Sequence, residues 1–66
     1  MNAEVIGTWA GQVWNALNES GKLTVKGLKK ATKLKENELY AALGWLAREG
    51  KVSMYEVDAD IEVVLL

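Results

Sequence analysis

Asp58, Asp60 and Glu62 alternate along the chain, the one place where three carboxylates are spaced to share an ion. Hard divalent cations take such oxygens, but a calcium loop also needs a central glycine for its sharp turn and a distal bidentate glutamate, and neither follows here. The stretch therefore reads as a solvated acidic turn. Other reactive groups are scarce. The chain has no Cys and no His, which removes thiolate and imidazole metal sites, disulfides and the usual nucleophile–base pairs. Its two serines, Ser20 and Ser53, lie in no nucleophile motif, and its glycines are scattered rather than gathered into a phosphate loop. These residues predict a protein that is not an enzyme, carries no cofactor or metal and takes no small-molecule substrate.

The charge that remains is segregated. Lys22, Lys26, Lys29, Lys30, Lys33 and Lys35 fall within fourteen positions that contain no acid, while Arg48 and Lys51 face all the acids elsewhere. The formal net charge is −1. Concentrated lysine is an electrostatic footprint for phosphate, so duplex DNA is one predicted partner, although the acidic remainder opposes strong binding. The bland alternative is a solvated helix face.

Elements must position these groups. From Asn2 to about 18, Ile6, Ala10, Val13 and Leu17 recur at helical spacing, with Asn2 as N-cap and Gly21 as the stop. Trp9 and Trp14 fall on opposite shoulders of that stripe. Gly7 and Gly11, one turn apart, weaken the helix, which suggests either close packing within the domain or a close dimer contact. Lys22-Leu23-Thr24 could form a short third strand. Thr24 then caps a helix over about 25–32 that turns Val25, Leu28 and Ala31 inward and projects Lys26, Lys29, Lys30 and Lys33 from one outer arc. Lys33-Leu34-Lys35 makes a tight turn with Leu34 as a buried plug. A further helix over about 36–49 buries Leu39, Ala42, Leu43 and Leu46, starts on Glu36 and Glu38 and stops at Gly50. Alternation over about 51–66 predicts a hairpin bent at Asp58-Ala59, with Val52, Met54, Ile61, Val63 and Leu65 on one face if the loop has two residues. The turn lacks glycine, which allows a longer loop.

Three helices and a C-terminal hairpin outline a winged helix-turn-helix of class α+β, one domain over 1–66. The stretch LTVKGLKKATKLKENELYAALGWLAREGKV resembles the helix-turn-helix of bacterial winged-helix proteins. With EVIGTWAGQVW before it, the whole chain resembles a small bacterial winged helix-turn-helix family catalogued as a domain of unknown function. The resemblance implies a fold shared with DNA-binding transcription regulators.

Docked in the usual way, the third helix would meet the major groove with Asn37, Tyr40, Ala41 and Gly44. Asn37 could pair with adenine, and Tyr40 and Arg48 could reach phosphates. Lys26, Lys29, Lys30 and Lys33 complete that candidate site. The competing reading is a protein-interaction or homodimerisation domain using Trp9, Trp14, Trp45, Tyr55 and Val64, since aromatic residues anchor interfaces. Half the residues are hydrophobic, enough for a core in a chain of 66. No cationic leader or spanning apolar run occurs, the longest being Val63 to Leu66, so no membrane role and a cytoplasmic location are predicted.

Overall fold

A computed structural model describes residues 1–66. The order is α1 (Ala3–Ser20), β1 (Lys22–Thr24), α2 (Val25–Thr32), α3 (Glu36–Arg48), β2 (Val52–Val57) and β3 (Asp60–Leu65). The strands form one antiparallel sheet in the order β1-β3-β2, so the short segment before α2 is indeed a third strand. No helix is long and apolar enough to cross a membrane.

Local chemistry sets the helix ends. Asn2 accepts a hydrogen bond from the Val5 amide at 2.9 Å, satisfying one orphan donor of α1. The helix runs on past position 18 to Ser20, where Gly21, at φ +88°, donates to the Leu17 carbonyl. Thr24 caps α2 through the Gly27 amide at 3.0 Å, and its last turn closes on Lys33 at φ +64°. At the start of α3 the Lys35 amide donates to Glu38 Oε1 at 2.9 Å, only the return half of a capping box, because an ammonium has no lone pair to offer the backbone. α3 ends in a Schellman motif: Gly50 takes φ +71° and donates to Ala47, and Lys51 donates to Leu46.

The helices bury one continuous apolar core. Ala10, Val13 and Leu17 of α1 meet Leu39, Ala42, Leu43 and Leu46 of α3, with Val25 and Leu28 of α2 completing the layer. Ile6 is only half-buried, and Leu34 and Trp9 pack against the core from its margin. Ala31 departs from its inward expectation. It is exposed, because its methyl stops short of α1 and leaves an open cleft of about 350 Å³ lined with Gln12, Asn15 and Glu19.

The hairpin uses the shorter of the two loops the sequence allowed. Val57 pairs with Asp60, so Asp58-Ala59 is a two-residue turn. Asp58 supplies the positive φ, +56°, in glycine's place, which its short polar side chain tolerates. The register puts Val52, Met54, Ile61, Val63 and Leu65 on the helix-facing side. Val52 and Val63 are buried, whereas Met54 is exposed because the hairpin runs past the helices as a wing.

Candidate nucleic-acid interface

α2 positions the basic groups. At i, i+3 and i+4, Lys26, Lys29 and Lys30 share one arc of its surface, whereas Lys33, expected on the same arc, lies beyond the helix as its left-handed C-cap and leaves the helical period. Lys29 is half-buried and its Nζ lies 3.0 Å from Glu36 Oε1, an ion pair that ties α2 to the start of α3. Lys26, Lys30 and Lys33 are exposed and form no ion pair, as is Lys35 in the turn. Exposed ammonium groups free of ion pairs suit an extended anionic backbone better than a single ion, because each can track a different phosphate.

The wing tip sits directly beside this arc. A cleft of about 530 Å³ runs between Lys26, Lys29 and Lys30 on one side and Ala59 and Asp60 on the other, with Val25 at its base. Asp60 closes the end of the cleft. Its Oδ1 accepts from the Ile61 amide at 2.7 Å, and its Oδ2 reaches the Lys26 amide in the first turn of α2 at 3.4 Å. The Ile61 amide above all holds its carboxyl below the ordinary aspartate value; desolvation opposes it, and the Lys26 amide, the Thr24 hydroxyl and the Lys26 ammonium add smaller lowering effects. This contact between residues 34 positions apart has no signature in the local sequence. Read along the chain, Asp60 is just one acid of a turn.

α3 presents Asn37, Tyr40, Gly44 and Arg48 outward, with Ala41 half-buried. Tyr40 does not face open solvent alone. It lines a cleft of about 360 Å³ with Glu56, Asp58, Asp60 and Ile61, so the groove between α3 and the wing is acidic. Ala59 and Asp60 line both clefts, so the wing tip stands between the lysines of α2 and Tyr40 of α3.

The aromatic residues divide differently. Trp9 is half-buried against the core. Trp14 and Trp45 are exposed and border a groove of about 300 Å³ floored by Gly7 and Gly11. A methyl on Gly7 would meet Trp45 Cζ2 at an ordinary 3.5 Å, and one on Gly11 would meet nothing within 4 Å. Gly7 therefore lies under the Trp45 ring of α3, a packing contact within the domain, whereas Gly11 faces open space. Tyr55 and Val64 lie on the outer face of the sheet, Tyr55 exposed opposite Glu62 and Val64 half-buried between Lys22 and Ser53.

A family model described as a winged helix-turn-helix domain (DUF2582) matches residues 1–65. The chain is also similar to a protein of Bacteroides thetaiotaomicron whose structure was solved by solution NMR. The two are 35% identical over 98% of this chain and 79% of that one, with a TM-score of 0.86. No curated protein matches the chain.

Proposed function

The chain belongs to the DUF2582 family of winged helix-turn-helix domains, and from that membership we propose a non-enzymatic domain that binds duplex DNA mainly through its backbone. The observation that carries the reading is the run of Lys26, Lys29 and Lys30 on α2 with Lys33 at its C-cap, of which only Lys29 is engaged in an ion pair. Lys26, Lys30 and Lys33 neutralise phosphates. Asn37, next to them on α3, enters the major groove, and Tyr40 and Arg48 extend the footprint along the same helix.

Contact of this kind is weak and salt-sensitive. The longest dimension of the molecule is 31 Å, short of the roughly 34 Å of one duplex turn, so few phosphates are reached. Glu56, Asp58 and Asp60 repel others. With so little amide or guanidinium on α3, phosphate contacts dominate and sequence preference is slight.

Fluorescence anisotropy with a labelled mixed-sequence duplex tests this. Binding is expected in the range of tens of micromolar at about 50 mM salt, with each phosphate contact steepening the log–log salt dependence by about 0.9. Lys30→Glu with Lys33→Glu should weaken binding to every sequence alike. Absence of binding under those conditions would exclude the proposal.

A further inference from the structure

The lysine run from 22 to 35 holds no acid of its own, yet two carboxylates from outside it reach the lysines of α2. Glu36, the first residue of α3, holds Lys29 at 3.0 Å. Asp60, the first residue of β3, faces Lys26, Lys29 and Lys30 across the cleft at the wing tip, and its Oδ2 lies 3.4 Å from the Lys26 amide. The two acids are held differently. Both side chains of the Lys29–Glu36 pair are well exposed, so that pair exchanges partners readily. Asp60 is anchored: its Oδ1 accepts from the Ile61 amide at 2.7 Å, its backbone pairs with Val57, and Glu62, two positions on, is matched with Thr24 of β1. A carboxylate fixed in this way stays in the cleft when another anion approaches.

We propose that Glu36 and Asp60 are built-in competitors of DNA phosphate, each countering a lysine of α2, so that the domain is autoinhibited by its own carboxylates. The proposal rests on the reading of the α2 lysines as the DNA contact. Lys29 starts with Glu36 as a counter-charge and Lys26 with Asp60, whereas Lys33, at the C-cap, lies outside the cleft and pairs with no acid. A phosphate reaching Lys29 must displace Glu36. One entering the cleft toward Lys26 does so beside a carboxylate that remains. In a solvated cleft each opposition weakens binding by a small factor rather than abolishing it. Removing either carboxylate returns one lysine to the footprint and steepens the salt dependence, because a further counterion is released from the duplex.

Fluorescence anisotropy with the labelled mixed-sequence duplex, from about 50 mM salt upward, tests this. Asp60→Asn and Glu36→Gln each remove a charge with little change of shape. Each should tighten binding about two- to fivefold, and the two together by about the product of the separate gains. Asp60→Glu, which keeps the charge, should bring no gain. A double-mutant cycle separates countering of a particular lysine from diffuse repulsion. The gain from Asp60→Asn should largely vanish beside Lys26→Gln, and that from Glu36→Gln beside Lys29→Gln.

Gains of equal size with and without these lysines would overturn the proposal, as would an equal gain from Asp60→Glu. So would variants that bind no more tightly than the wild type, or that do not bind at all. Unchanged variants beside a wild type that binds would sink the autoinhibition alone. Binding confined to the variants would uphold it and correct the affinity proposed above for the wild type.

Discussion

Asp60 shows how much one side chain can organise in a small domain. Its carboxylate bonds the backbone at its own strand and reaches the first turn of α2, so the wing is tied to the lysine helix. A folded-state pKa below the unfolded value means that the ionised form is favoured by folding. The stabilisation is therefore present above the ordinary aspartate pKa and lost as pH falls through the depressed folded value. An NMR titration of side-chain carboxyls should show Asp60 inflecting below the ordinary aspartate value. Asp60→Asn should speed exchange of the Lys26 amide. An Asp60 that titrates at or above the ordinary aspartate value would show that the wing is not held in this way.

At the scale of elements, the glycines separate into two kinds. Gly50 has φ +71° and closes the Schellman motif of α3, so Gly50→Ala should destabilise by about 1–2 kcal/mol, the cost of a left-handed conformation for a residue with a Cβ. Gly11 sits inside α1 with open space where its Cβ would be, so Gly11→Ala should stabilise by about 0.5–1 kcal/mol through helix propensity. Urea unfolding of both variants checks the pair, and equal signs would refute the distinction. Gly50, the Asn2 and Thr24 caps and the buried stripe of α3 were legible in the sequence, because each is fixed by residues within one or two turns. The solvent exposure of Ala31, the packing of Trp45 over Gly7 and the clasp of Asp60 on α2 were not, because each depends on how far apart finished elements come to rest. The candidate site divides in the same way. Lys26, Lys29 and Lys30 follow from helical period, but the left-handed turn at Lys33 does not, and the carboxylates around Tyr40 come from a hairpin that only the tertiary fold brings there.

For the molecule as a whole, the core contains no buried polar side chain. Stability rests on apolar packing, and a chain of this length holds only about 3–10 kcal/mol in total. Leu43→Ala, at a site 1% exposed at the centre of α3, should remove about 2–5 kcal/mol. Circular dichroism should then show a large fall in melting temperature, and a change of only a degree or two would mean that the core is not centred on α3. The order β1-β3-β2 carries a different consequence, for the path by which the chain folds. β1 and β2 never touch, and the strand that joins them is the last element in sequence, pairing with β1 across roughly forty residues. The helices can consolidate through shorter-range contacts, but no part of β1's ladder can form until β3 arrives. Closure of the sheet thus carries the largest loop-closure cost in the fold and joins the wing to the N-terminal half of the molecule.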